Sequence, residues 1–141
     1  MAAAIAPYLY YEDARAAVDW LCRAFGFEQV AVFEGEDGRV EHAELRLGDG
    51  TVMLGQPGRD YRNPNHAGRG TAGVHVYVDD VDAHFEQARA AGAVIHTEPT
   101  DQPYGDRRYD CDDLEGHNWF FATAMSPRAS GAEKASEQTT A

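Results

Sequence analysis

The stretch YYEDARAAVDWLCRAFGFEQV, beginning at Tyr10, is echoed by YVDDVDAHFEQARAAGAVIHT, beginning at Tyr77. Each copy runs from an apolar-aromatic strand through an acidic pair into an amphipathic helix, then a glycine, then another strand. A repeat of this size constrains the fold more than composition does, because one unit alone cannot bury its apolar face. Asp13 and Asp80 stand where helix N-caps are expected, able to accept from otherwise unpaired first-turn amides. Gly26 and Gly92 stand at the helix ends, where a left-handed residue is least strained as glycine.

Three strand-like runs follow the first helix, at Glu28–Glu34, Arg39–Leu47 and Thr51–Gln56, separated by the turn sequences EGEDG and GDG. Three more follow the second, at Val94–Glu98, Arg107–Asp112 and Asn118–Thr123. Each half therefore reads β-α-β-β-β, and the whole is predicted to be α+β. One domain is expected over residues 1–125, with module one at 5–56, a linker loop at 57–72 and module two at 73–123. The run QPGRDYRNPNHAGRG (56–70) is long for a connection, which points to a mobile or functional loop. From Ser126 the chain reads SPRASGAEKASEQTTA, small and polar with no apolar period, and is expected to be a disordered tail.

The 141 residues carry 24 acidic and 12 basic side chains, a net charge of −12. That balance excludes the usual nucleic-acid binder, which needs a basic face to neutralise phosphates. No apolar run approaches the roughly 20 residues a membrane helix requires. Cys22 and Cys111 show no pairing pattern, and MAAAIAP is too short for a secretory apolar region, so a reduced cytoplasm is the expected compartment.

Two βαβββ modules carrying VDDVDA, HAELRLGDGTVML and DLEGHNWFF in this order resemble the vicinal oxygen chelate superfamily. That group includes glyoxalase I, extradiol dioxygenases, fosfomycin-modifying enzymes and bleomycin-resistance binding proteins. The resemblance spans about Ile5 to Thr123. It implies two mixed sheets curled around a ligand cleft, and a homodimer that builds clefts jointly.

Side chains alternate along a strand, so parity assigns the faces. Val74, Val76 and Val78 form an apolar set that should pack under a helix, leaving Gly73, His75 and Tyr77 on the concave side. By the repeat, Ala6, Tyr8 and Tyr10 face the cleft, opposite Ile5, Pro7, Leu9 and Tyr11. His42, Glu44, Arg46, Thr51, Met53 and Gly55 join them, as do Asn118, Phe120 and Ala122, with Trp119 and Phe121 in the core. Phe33, and Tyr104 or Tyr109, are further candidates.

Metal-dependent members of the resembled family supply one His, Glu or Gln from each of four strands. Carried over by motif, those positions are Ala6, Met53, Gly73 and Phe120, none of them a ligand for a hard divalent cation. His75 lies two residues beyond its ligand position. A displaced site around His42, Glu44 and His75 remains as an alternative, and would make the chain a metal-dependent lyase, isomerase or dioxygenase. The preferred expectation has no metal, no cofactor and no catalytic residue. It is a protein that sequesters a hydrophobic or aromatic small molecule, plausibly an antibiotic, in the cleft of a homodimer, with neither nucleic-acid nor membrane partner. The ligand-binding set is Tyr8, Tyr10, Phe33, His42, Glu44, Met53, His75, Tyr77, Tyr109, Asn118 and Phe120. Aromatic walls with a few polar anchors are the usual make-up of such a site.

Overall fold

A computed structural model of the chain describes residues 3–125; the tail expected to be disordered, 126–141, lies outside the described residues. Module one runs β1 (Tyr8–Tyr10), α1 (Ala14–Phe25), β2 (Glu28–Glu34), β3 (Val40–Leu47) and β4 (Gly50–Gly55). A short helix, α2 (Pro64–Ala67), interrupts the linker. Module two follows as β5 (Gly73–Tyr77), α3 (Val81–Ala90), β6 (Val94–Asp101), β7 (Asp106–Asp112) and β8 (Asn118–Ala124). Each module forms a four-stranded mixed sheet, ordered β1-β4-β3-β2 in one and β5-β8-β7-β6 in the other. In each, the first strand runs parallel to the last. The βαβββ repeat is thus the architecture, α+β, and the sheets are not closed on one another.

The repeat extends to backbone torsions. Asp13 (φ −133°, ψ 89°) caps α1 and Asp80 (φ −133°, ψ 92°) caps α3. Each carboxylate accepts from the amide three residues on, Ala16 and Ala83, at 3.1 Å. Gly26 ends α1 in the left-handed region at φ 84°, its amide donating to the Cys22 carbonyl. In module two Ala91 closes the helix and Gly92 takes the left-handed turn one residue later.

One core serves both modules. The buried face of α1 (Ala17, Val18, Leu21, Ala24) joins Ala43, Leu45, Val52 and Leu54 of its own sheet. Phe25, at the end of α1, then crosses to module two: its ring centre lies 4.7 Å from Phe121 and 5.2 Å from Trp119. Trp20 donates its indole N–H to the Ala91 carbonyl at 2.9 Å. Since α1 meets the helix side of both sheets, the helix-free faces point away from this shared core. Val74, Val76 and Val78 pack against it half-buried, as their parity predicts.

Two expectations about strand ends change. Ile5, placed by parity on the core side, is 98% exposed, because β1 begins only at Tyr8 and alternation has no meaning before it. Strand β6 runs past Glu98 to Asp101 despite Pro99, which an edge strand tolerates because its outer amides have no partner to lose. Among the described residues, no helix is long and apolar enough to cross a membrane.

The linker is docked. Glu115, buried, accepts from the Glu12 amide at 2.6 Å, the Asp13 amide at 2.9 Å and Asn63 Nδ2 at 3.0 Å. Asp113, also buried, accepts from the Tyr11 hydroxyl at 2.6 Å and Trp119 Nε1 at 3.0 Å. Burial, reinforced by Asp113, pushes the Tyr11 phenol well above its usual range. Glu12 reaches the other side of the linker, accepting from the Asn63 amide at 2.8 Å and contacting His66 Nδ1 at 2.5 Å. The Asn63 amide first, and His66 second, hold its carboxyl below the ordinary value.

His84 on α3 reaches into the shared core, with Nε2 2.8 Å from the Phe25 carbonyl and Nδ1 2.6 Å from the Tyr109 hydroxyl. Donation from Nε2 to a carbonyl leaves Nδ1 to accept from the phenol, which is the neutral tautomer. Burial lowers the His84 pKa, opposed in part by the bond to Phe25. An unfolded histidine titrates near pH 6.5, so on acidification the unfolded chain binds its proton first. The His84 contribution is therefore complete above about pH 6.5 and lost below it. We expect the urea midpoint to fall between pH 7 and 5.5, and to fall less steeply in His84→Gln; equal slopes would refute the assignment.

Candidate functional site: two open aromatic faces

Register aligns two rows of side chains across the helix-free face of module one. Phe33 pairs with His42, His42 with Gly55 and Gly55 with Tyr10. The second row joins Ala31, Glu44, Met53 and Tyr8. Tyr8 leans out of its row, and its hydroxyl lies 2.8 Å from His42 Nδ1. It can do so because residue 55 is glycine: a Cβ there would stand 2.8 Å from Tyr8 Cε1 and 2.9 Å from its hydroxyl oxygen. Tyr8 and Tyr10 meet edge to face at 5.7 Å, and Phe33 lies 5.8 Å from the His42 ring.

Module two repeats the device with its parts exchanged. The Phe120 ring of β8 lies over Gly73 of β5, where a Cβ would stand 2.8 Å from Phe120 Cε2 and 3.2 Å from Asn118 Oδ1. His75 stacks on Phe120 at 6.3 Å and meets Tyr77 at 4.9 Å. Tyr77 donates to Asp106 at 2.8 Å, and Asn118 Nδ2 donates to Asp110 at 3.1 Å. Between the two faces, Tyr8, Tyr10, Phe33 and Tyr77 remain 44%, 51%, 56% and 46% exposed.

Tyr109 does not belong to this set. It is fully buried, stacked on Phe121 at 5.5 Å and bonded to His84, because its parity on β7 matches Cys111 on the core side. The expected alternative, Tyr104, lies on the open side instead, beside Arg108. Ala122, expected open, is buried, being too short to emerge between its register partners Tyr77 and Arg108. Arg108 itself was missed. Alternation along β7 would have found it once Tyr109 was assigned to the core.

The four positions that match the family's metal ligands do not fit a cation. Two of them, Gly73 and Phe120, are locked together by the ring lying over the glycine. Met53 offers a thioether and Ala6 a methyl, neither a donor for hard divalent ions. The displaced alternative fares no better within one chain, since His42 and Glu44 belong to one sheet and His75 to the other. Among the described residues, no three His, Cys, Asp or Glu side chains converge as a metal site. Burial also raises the thiol pKa of Cys22 and, more strongly, Cys111.

Two hollows flank these faces. One of about 740 Å³ follows the free edge of β5, bounded by Val74, Val76 and Val78 on one side and Pro7, Leu47 and Val52 on the other, and takes in His75 and Tyr77. A smaller one, about 250 Å³, lies beside Tyr8 and Tyr10 under Tyr61, Arg62 and Arg69 of the linker. Tyr61 donates to the Tyr10 carbonyl at 2.9 Å, so the linker walls the module-one face.

Residues 3–121 match the Glyoxalase/Bleomycin resistance protein/Dioxygenase superfamily, and the chain belongs to it. An uncharacterized protein of Mycobacterium tuberculosis H37Rv is 36% identical over 121 residues, covering 82% of this chain and 71% of that protein. One from Mycobacterium bovis has the same identity and covers 82% and 80%. Among solved structures, TioX from Micromonospora sp. ML1 superposes with a TM-score of 0.72 at 39% identity, over 87% of this chain and 99% of that one. The hypothetical protein SA1046 from S. aureus shares the fold, with a TM-score of 0.65 at 20% identity over 88% and 99%.

The glycine beneath Tyr8 gives a direct test of the face. In Gly55→Ala the new methyl meets only the far end of a swinging ring, so stability should change by less than about 1 kcal/mol while Tyr8 leaves His42. We expect near-unchanged thermal melting together with a shifted His42 imidazole resonance in NMR spectra. A large loss of stability, or an unmoved resonance, would show that the ring is not where it is described.

Proposed function

We propose that the chain is a metal-independent binding protein of the bleomycin-resistance kind, which captures a hydrophobic or aromatic small molecule, of the kind found among antibiotics, in the cytoplasm. One observation carries this reading: four exposed aromatic rings, Tyr8, Tyr10, Phe33 and Tyr77, all stand on the helix-free sheet faces. Exposed apolar surface gathered into a patch commonly marks a ligand or interaction site. Flat ligands gain from offset or edge contacts on rings beyond the area they bury. His42, Glu44, Met53, His75, Asn118 and Phe120 supply the polar anchors and the remaining apolar wall.

A homodimer completes the site in this proposal. The two open faces of one chain point away from a common core, so a closed cleft needs a face from a second copy. The cytoplasmic placement draws support from Cys22 and Cys111, both free thiols.

Calorimetric titration of the purified protein with a panel of aromatic antibiotics is the test. At least one should bind at micromolar or tighter, with one site per open cleft, and Tyr8→Ala or Tyr77→Ala should weaken it about 10-fold. Protein prepared without chelators should carry no stoichiometric Ni, Zn, Mn or Fe, and chelator should leave binding unchanged. A panel that fails to bind better than millimolar, or a stoichiometric metal whose removal abolishes binding, would overturn the reading.

A further inference from the structure

We infer that Arg108 is the group by which the open face of module two holds a carboxylate on its aromatic ligand, an inference that rests on the capture reading above. Arg108 lies opposite Ala122 of β8 and has the parity opposite to buried Tyr109, which puts it on the helix-free side. Its guanidinium carbon stands 4.7 Å from the Phe120 ring centre and 5.9 Å from that of Tyr104. A guanidinium over a ring face is held by the ring quadrupole, while its N–H donors, all in its own plane, stay free at the edge.

Charge makes this arrangement informative. With 24 acidic side chains against 12 basic ones, an arginine here would ordinarily find a carboxylate. The other strand arginines do: Arg46 meets Glu28 at 3.2 Å, and Arg107 meets Asp82 and Asp101 at 3.0 Å each. The side chain of Arg108, the next residue along, lies over rings instead, and among the described residues it shows no hydrogen bond or ion pair. The two acids that flank it at i±2 on its strand accept from neutral donors: Asp110 takes Asn118 Nδ2 at 3.1 Å, and Asp106 takes the Tyr77 hydroxyl at 2.8 Å.

A half-buried guanidinium set against two rings, with neighbouring acids already engaged, is a preorganised fork for a planar pair of anionic oxygens. The Phe120 and His75 rings lie within the same patch, where the aromatic body of such a ligand can stack. The ligand class is then an aromatic carboxylate rather than a neutral or cationic aromatic.

The test uses a matched pair of probes, 2-naphthoate and 2-naphthamide, titrated into the full chain by calorimetry. The carboxylate should bind about 10- to 100-fold more tightly than the amide. Arg108→Gln should abolish that preference, Arg108→Lys should keep part of it, and Arg89→Gln, on the outer face of α3, should leave it intact. Equal binding of the two probes to the wild type would overturn the Arg108 assignment while leaving aromatic capture standing. So would a preference that survives in Arg108→Gln. Failure of both probes, and of the antibiotic panel, would overturn both readings.

Discussion

Phe25 is the residue on which the two modules converge. It closes the first helix, yet its ring packs on Trp119 and Phe121 of the last strand, in the other half of the molecule. Each βαβββ unit has one apolar sheet face and one amphipathic helix, too little to form a stable core alone. Joining helix side to helix side doubles the buried layer, and it fixes everything else. Once the helices lie toward a common interior, the opposite faces have nowhere to point but outward. The open aromatic faces follow from how the core is shared.

A second constraint acts at the junction. Asp113 and Glu115 are carboxylates in an otherwise apolar setting, and buried charge is tolerated only where hydrogen bonds replace lost water. Their donors come from β1's exit, the start of α1, the linker and β8. Each bond to a charged acceptor contributes about 1.5–3 kcal/mol, more than a neutral one. Glu115 of module two and Glu12 of module one both hold Asn63, and they convert a long Pro/Gly/Arg-rich connection into a docked segment, which then walls the hollow beside Tyr10. The linker is thus held from both modules.

The repeat, both N-caps, the βαβββ succession of each half and most of the open-face residues were legible in the sequence, because they depend on local periodicity and capping chemistry. Tyr109 was not: it shares its parity with buried Cys111, and a one-residue choice of parity moves a side chain to the other face. Ile5 failed for a related reason: parity was carried beyond the end of a three-residue strand. The Asp113 and Glu115 network had no signature either, because its partners are far apart in the chain and meet only after the modules dock. Gly55 and Gly73 illustrate a subtler limit. Both read as ordinary strand glycines, and only the structure shows that the Tyr8 and Phe120 rings lie across them.

The acidic balance of the chain and the proposed carboxylate site at Arg108 are compatible because they act over different lengths. At physiological ionic strength, exposed charges are screened beyond about 8 Å, so the −12 net charge sets solubility and slows the approach of an anion more than it weakens a formed contact. Within that distance the nearest groups dominate, and around Arg108 they are two rings and two acids already bonded to neutral donors. Partial burial between the rings reduces screening further and makes a single paired charge count for more than it would on an open surface. A face of this kind discriminates by whether a ligand can satisfy the guanidinium it covers, since an uncharged aromatic would desolvate that group and give nothing back.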